Sequence, residues 1–159
     1  RDTLDLKFQS LNKCIQDAIH GISSIAKKKH IEVSFQTEFT ILTEFDYSKM
    51  LQVFTNLLSN SIKFVPKESG RIELSLRENL EEISFKISDN GKGIPEEDLH
   101  LIFKKFYQSM NQTFKKPKGS GFGLAICKQI VEMHGGVIYA NPQVELGAEI
   151  IMNLPKPKP

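Results

Sequence analysis

The chain is poor in the residues that usually announce a particular chemistry. Its two cysteines, Cys14 and Cys127, are far apart and both fall in helical apolar patterns. They read as core residues, which excludes a disulfide or thiolate-metal framework. The four histidines, His20, His30, His100 and His134, are not spaced as metal ligands, and none has a serine or cysteine partner that the sequence singles out. Each reads as structural or solvated. No apolar run approaches the ~18 residues of a membrane span, and no secretory signal is visible. The net charge is only +2, so no general attraction to nucleic acid or membrane is implied and no nucleic-acid partner is expected. There are no internal repeats.

What is present suits one domain with a real core. The chain has 159 residues, 40% hydrophobic and 25% charged, ordinary values for a soluble globular unit. A single domain over residues 1–159 is expected. The start without Met and the Lys-Pro ending suggest a piece of a longer protein. Basic residues cluster at Lys27–Lys29, at Lys115, Lys116 and Lys118, and in the tail. The first and last read as a solvated helix end and a tail. The middle cluster could meet phosphate, a partner or only water.

Patterning predicts the elements. Leu4–Phe8 alternates as a short strand, and Ser10 caps a helix running to about Lys29. Ile31–Thr37 and Thr40–Phe45 read as strands. Asp46 or Ser48 starts a second helix, which ends near Val65 because Pro66 follows. Arg71–Glu78 and Ile83–Ser88 form a hairpin around Asn79–Glu82. Pro95–Lys104 reads as a short helix, Tyr107–Lys118 as a mobile loop, and Gly121–His134 as a helix that Gly135-Gly136 ends. Val137–Asn141 and Ala148–Leu154 are the last strands. Strands arriving as hairpins between helices favour an α+β, two-layer sandwich with a mixed sheet on about three helices.

Three segments carry chemistry. On the second helix, at about 100° per residue, Gln52, Asn56, Ser59, Asn60 and Lys63 share one stripe opposite Leu51, Phe54, Leu58, Ile62 and Val65. A solvated helix face normally carries Lys and Glu, whereas Asn and Ser are poor helix-interior residues. Amides at i and i+4 suit a metal–phosphate ligand. The second segment is Asp89-Asn90-Gly91-Lys92-Gly93-Ile94, after a strand. It is either a tight turn or a carboxylate that accepts from the amino group of adenine, with glycines letting the base lie close. The third is Gly119-Ser120-Gly121-Phe122-Gly123-Leu124, opening a helix whose backbone N–H groups make an anion site. It is neither a Walker loop nor a dinucleotide fingerprint. Ahead of it, Phe103 and Phe106 are candidate anchors for a lid, and Tyr107 could approach a nucleotide.

Together and in this order, these segments resemble the catalytic, ATP-binding domain of sensor histidine kinases, in the GHKL ATPase superfamily. Gln52–Phe64 corresponds to the N box, Asp89–Ile94 to the first glycine box, Phe103–Phe106 to the F box and Gly119–Ile126 to the second glycine box. The resemblance implies a Bergerat-type sandwich that binds ATP with Mg²⁺ and passes the γ-phosphoryl group to a histidine on a separate dimerisation domain of a two-component sensor. Asn60 would supply an amide oxygen to Mg²⁺. Asn56 and Lys63 would face the phosphates as the catalytic pair, and Asp89 would read adenine beside Gly91, Gly93 and Ile94. Gly119, Ser120, Gly121, Phe122, Gly123 and Leu124 would form the hinge and phosphate cradle of a lid over about 107–119, with Tyr107 near the nucleotide. The implied partners are the phosphoacceptor domain of the parent chain and, indirectly, a response-regulator receiver domain. The fragment would be monomeric and cytoplasmic, the parent homodimeric and possibly membrane-anchored.

Three features depart from the family pattern. Gln108 stands where many members have Arg, and Gly147-Ala148 replaces the usual Gly-Thr, losing a hydroxyl. No histidine here is followed by the acidic residue and proline of a phosphoacceptor motif. Two other readings compete. A hydrolytic switch of the gyrase or chaperone kind would use Glu where Asn56 stands, and an amide cannot act as general base. A non-catalytic nucleotide-binding module would keep the pocket without the transfer.

Overall fold

A computed structural model describes residues 3–104, 123–141 and 147–157. The strands are β1 (Lys7–Ser10), β2 (Glu32–Thr37), β3 (Leu42–Phe45), β4 (Arg71–Glu78), β5 (Glu82–Asp89), β6 (Val137–Ala140) and β7 (Ala148–Pro155). The helices are α1 (Leu11–Lys28), α2 (Tyr47–Phe64) and α3 (Gly123–Met133). A five-stranded sheet runs β2-β4-β5-β7-β6, parallel at β2–β4 and antiparallel elsewhere, while β1 and β3 make a separate antiparallel pair. The three helices pack on the five-stranded sheet, with α2 between α1 and α3. This is the expected α+β sandwich with a mixed sheet.

Local chemistry sets the helix ends. Ser10 is extended and its hydroxyl accepts from the Lys13 N–H at 3.0 Å, satisfying one of the donors a helix start leaves open. Of the two candidate caps for α2, Asp46 takes the role: its carboxylate accepts from the Lys49 N–H at 3.0 Å. At the other end Val65 turns extended (ψ 154°) before Pro66, as the proline ring requires. The Asp46 N–H donates to His134 Nε2 at 3.1 Å, while His134 Nδ1 lies 2.8 Å from the Ile130 carbonyl. That pairing requires a neutral ring with its proton on Nδ1, and it ties the end of α3 to the start of α2.

Two expectations need correction. Pro95–Lys104 is not a helix. Only Glu96–Asp98 forms a 3₁₀ turn, followed by further i→i−3 bonds, Leu101 N–H to Asp98 O and Lys104 N–H to Leu101 O. A segment this short is marginal as a helix, and its buried residues Ile102 and Phe103 are carried by these tight turns. The first strand also starts later, at Lys7, because it is defined by pairing with β3, Lys7 opposite Phe45 and Ser10 opposite Leu42. The apolar alternation at its start does not serve this core: Leu6 and Phe8 are 48% and 68% exposed.

The core lies between the helices and one sheet face. Ile72, Leu74 and Leu76 of β4, Ile83, Phe85 and Ile87 of β5, and Ile150, Met152 and Leu154 of β7 are buried there, at the alternate positions a half-buried strand provides. Phe54 of α2 meets Phe85 with ring centroids 4.9 Å apart and planes at 57°, the tilted arrangement aromatic pairs favour. Among the described residues no helix is long and apolar enough to cross a membrane.

Candidate functional site

The rows that build the core also place the site. On β5 the inward positions run Ile83, Phe85, Ile87 and then Asp89, where the pattern calls for one more apolar side chain. The neighbouring β7 row runs Leu154, Met152, Ile150 and then Ala148, which sits directly opposite Asp89 in the register. Asp89 therefore puts a carboxylate at the rim of the core. Burial raises its pKa, against hydrogen bonds from the Gly91 N–H, the Ser61 hydroxyl and the Ala148 N–H. The Gly91 and Ala148 donors reach Oδ1 at 2.9 and 3.4 Å.

The turn after Asp89 is tight for a reason beyond reversing the chain. A Cβ on Gly91 would stand 2.6 Å from the carbonyl oxygen of Phe64, at the end of α2. Gly147 has φ +74° and passes so close to the Asp89 carbonyl that no side chain fits. Gly93 faces the Gly147 carbonyl, and Ile94 packs against the edge of the core. Asn90 pins the turn to β4, accepting from the Arg71 N–H at 2.7 Å and donating to the Ser69 carbonyl at 2.9 Å. The result is a closely packed glycine turn around one half-buried carboxylate.

The amide stripe of α2 leads away from this corner. Gln52, Ser59 and Lys63 are exposed, and Asn56 and Asn60 are half-buried. Asn56 Nδ2 donates to the carbonyl of Gly123 at 3.3 Å, so the stripe meets the first turn of α3. Nearby on α3 the Cys127 thiol donates to the Val53 carbonyl at 3.7 Å, and burial pushes its pKa up to about 12. Both cysteines are buried and free, as core residues. Leu124 packs against the core from the start of α3. Phe103, the first aromatic of the proposed anchor pair, is buried.

Thus the structure brings Asn56 together with Gly123, and Asp89 with Gly91, Gly93 and Ile94. Asn60 and Lys63 lie on the helix between these groups. Tyr107, Gln108, Gly119, Ser120, Gly121 and Phe122, with Phe106 and the lysines 115, 116 and 118, lie outside the described residues. Sequence reasoning missed three contributors. Ser61 sits within a core-facing run, and a polar residue four positions after Leu57 and seven after Phe54 is the readable signal of it. Gly147 and Ala148 were noted only for a lost hydroxyl, and their closeness to Asp89 depends on strand register.

A groove of about 260 Å³ opens beside this turn between Ile94, Leu99, Asn141, Ala148 and Glu149. A larger one, about 350 Å³, lies on the opposite face of the sheet at Ser75, Arg77, Ser84 and Lys86, away from these residues. The donor set suits a hard cation carried in by phosphate. Asn60 offers a neutral oxygen, and no group of three or more His, Cys, Asp or Glu able to hold a metal occurs among the described residues. Mg²⁺ keeps several waters and takes few protein ligands when phosphates supply the rest, so these residues fit it.

Comparison with known proteins gives the same assignment from three directions. The family model for histidine kinase-, DNA gyrase B-, and HSP90-like ATPases matches residues 45–158. The sensor protein kinase WalK of Staphylococcus aureus is 35% identical over 160 residues, covering 96% of this chain and 38% of that protein. For WalK of strain NCTC 8325 / PS 47 the covered share is 26%, so the chain spans well under half the length of these relatives. Among solved structures, the nucleotide-free catalytic domain of the histidine kinase ThkA aligns with a TM-score of 0.84 at 27% identity, covering 96% of this chain and 99% of that one. The mycobacterial sensor histidine kinase MprB aligns at 0.79 and 28%, covering 94% and 97%. The chain belongs to the histidine kinase-, DNA gyrase B- and HSP90-like ATPase family, and within it to the catalytic domains of sensor histidine kinases.

Proposed function

We propose that this domain binds ATP with Mg²⁺ and transfers the γ-phosphoryl group to a histidine on a separate phosphoacceptor domain. The observation that carries the reading is the side chain at position 56. It is an amide, and its nitrogen is engaged by the Gly123 carbonyl. An amide has no useful basicity and cannot activate water. A hydrolytic switch would need a carboxylate at that place, whereas an imidazole acceptor is its own nucleophile.

The transfer would form a bond from an imidazole nitrogen to the γ-phosphorus and break the bond from that phosphorus to the β,γ-bridging oxygen, with ADP leaving. Such chemistry asks the protein for positioning and charge neutralisation. Asp89 would accept from the adenine amino group, with Gly91, Gly93 and Ile94 against the base. Asn56 and Lys63 would face the phosphates, and Gly123 and Leu124 would present the start of α3 to them. Asn60 would hold the metal through its amide oxygen, and a bound Mg²⁺ would neutralise developing charge on the phosphate oxygens. Residues 107–119 keep their reading as the lid, with Tyr107, Gly119, Ser120, Gly121 and Phe122 at the nucleotide, and residues 1–159 as one catalytic domain. ThkA has been solved with the response regulator protein TrrA. By analogy the partners here are the parent's dimerisation domain and, through it, a receiver domain, on the cytoplasmic side of the parent protein.

The test uses γ-labelled ATP with Mg²⁺ and the parent's phosphoacceptor domain. Acid-labile label on that domain is expected, with little free phosphate released by the 159-residue chain alone. Intact nucleotide binding without transfer would overturn the kinase reading. Absence of calorimetric heat with a non-hydrolysable ATP analogue at millimolar concentration would overturn nucleotide binding itself.

A further inference from the structure

The open face of the sheet carries a cluster that the nucleotide reading leaves unused. Ser75 and Arg77 of β4, and Ser84 and Lys86 of β5, alternate with the buried Leu76 and Phe85 and so point away from the helices. The register sets Ser75 opposite Lys86 and Arg77 opposite Ser84, so hydroxyls and cations take alternate corners of one square. These four line the groove of about 350 Å³, and Ile151 of β7 completes it. Ile151 stands opposite Lys86 on one side and the exposed Tyr139 of β6 on the other. Among the described residues Arg77 makes no ion pair, and the hydroxyls of Ser75 and Ser84, both half-buried, make no hydrogen bond. Lys86 lies 3.5 Å from Glu149, but that carboxylate also accepts from the Ser88 hydroxyl and the Asn141 amide, so it keeps partners without the lysine.

We propose that this groove is a binding site for a small phosphate monoester that carries an apolar group. Arg77 and Lys86 stand on one diagonal of the square, where neighbours are about 7–8 Å apart. Two cations so placed repel each other until an anion lies between them. The serines on the other diagonal are short, which leaves the space between the two long side chains open and adds a hydroxyl donor from each remaining corner. Donors from four corners suit a tetrahedral phosphate better than a planar carboxylate, and the guanidinium fork matches phosphate oxygens. Ile151, with Tyr139 beyond it, is an apolar shelf for the group that the phosphate carries. The groove is separate from the nucleotide site. It lies on the other face of the sheet, and Ser84 is five residues before Asp89 on β5, about 17 Å along the strand. The proposal therefore does not depend on the nucleotide reading.

The test titrates phenyl phosphate into the isotope-labelled 159-residue chain and follows the backbone amide resonances. Shifts at residues 75–77 and 84–86 are expected, saturating at about millimolar concentration, the scale of a ligand with few atoms. They should persist when a non-hydrolysable ATP analogue and Mg²⁺ are present in excess. Arg77→Gln and Lys86→Gln should each weaken binding about tenfold, the scale of one charge-assisted hydrogen bond, while the melting temperature stays near that of wild type, since both side chains are exposed. Benzoate should bind about tenfold more weakly than phenyl phosphate, and inorganic phosphate about fivefold more weakly for want of the apolar contact. No shift at these residues, or equal binding by the two neutral variants, would overturn the site. Benzoate binding as tightly as phenyl phosphate would overturn the phosphate assignment, and inorganic phosphate doing so would overturn the apolar shelf. Loss of the shifts on adding the ATP analogue would put the phosphate in the nucleotide site and sink the separate groove. Failure of the analogue itself to bind, with the shifts intact, would overturn the nucleotide reading alone and leave this proposal supported.

Discussion

Helices α1 and α2 are the same length, 18 residues, and both are capped by a side chain at the N-terminus. Each buries one polar residue, and the two do opposite things. Asn12 of α1 is 7% exposed and satisfied entirely by the fold. Its Nδ2 donates to Thr37 Oγ1 at 3.1 Å and to the Phe39 carbonyl at 3.0 Å, and its Oδ1 accepts from the Ile41 N–H at 2.7 Å. It fixes the connection from β2 to β3. Ser61 of α2 faces Asp89, a carboxylate that burial disfavours. Both helices end in basic residues that suit a C-terminal dipole, Lys27 and Lys28 on α1 and Lys63 on α2, but only α2 sets half-buried amides, Asn56 and Asn60, along its outer stripe. Where polar groups are closed among themselves they serve the fold. Where burial raises the pKa of a carboxylate at a glycine turn, as at Asp89, the proposed nucleotide site is expected.

The comparison breaks most sharply at Asp89. Because burial raises its pKa, the folded state favours the protonated form. That contribution to stability is full below the unfolded carboxylate pKa and is lost as pH rises through the folded value. At neutral pH the ionised side chain therefore works against folding. Asp89→Asn should leave the nucleotide-free melting temperature unchanged or higher, yet weaken adenine nucleotide binding about a hundredfold, close to 3 kcal/mol for a charged hydrogen bond. Thermal melts and calorimetry on the same samples check both halves. A variant that melts lower and binds normally would place Asp89 with Asn12 as a fold residue.

Asn12→Ala tests the other side. It leaves the Ile41 N–H without its acceptor in a buried place, and the expected loss is about 2–3 kcal/mol of folding stability. Nucleotide affinity, measured where the variant remains folded, should not change. Chemical denaturation gives the first number and titration the second. A large affinity loss at native temperature would couple the β2–β3 connection to the site and undo the distinction.

Much of this was legible in the chain because local chemistry decided it. Ser10, Asp46 and Pro66 fix helix ends through single caps and one steric clash, and the alternation in β4 and β5 needs nothing beyond its own period. The amides of α2 stood out because they are poor helix residues kept on one stripe. What stayed hidden depends on two layers meeting. Ser61 gains meaning only when α2 is laid over the end of β5, and Gly147 only when β7 is paired so that Ala148 faces Asp89. In Pro95–Lys104 the apolar residues suggest a helical face, but the hydrogen bonds close at i→i−3, as in a chain of tight turns.

Asn60→Ala sharpens the contrast within α2. If the open amides serve a metal–phosphate group, the loss should appear only with Mg²⁺ present: about tenfold, or 1.4 kcal/mol, in ADP affinity with the metal and little without it. Titrations with and without chelator read the difference. Equal losses in both would assign Asn60 to the base or to the fold rather than to the metal.

The smallest expected effect concerns the cap of α2, a polar residue that belongs with Asn12 although it lies on the site helix. Asp46 is 6% exposed. Burial alone would raise its pKa, but the backbone N–H groups of Asp5 and Lys49, with the charge of Lys49, outweigh burial and hold it below the usual carboxylate range. Its contribution is therefore present above the unfolded carboxylate pKa and is lost as pH falls through the lower folded value. Asp46→Ala should cost about 1 kcal/mol at neutral pH, the usual scale for a lost N-cap. It should also flatten the fall in stability on the acid side, because the group whose protonation drives part of that fall is gone. Denaturation midpoints across the acid range measure both. Nucleotide affinity at neutral pH should hold, since the cap sits at the far end of α2 from Asn60. An acid slope identical to wild type would show that Asp46 is not held ionised by its cap, and the electrostatic half of the comparison between the two helices would fall with it.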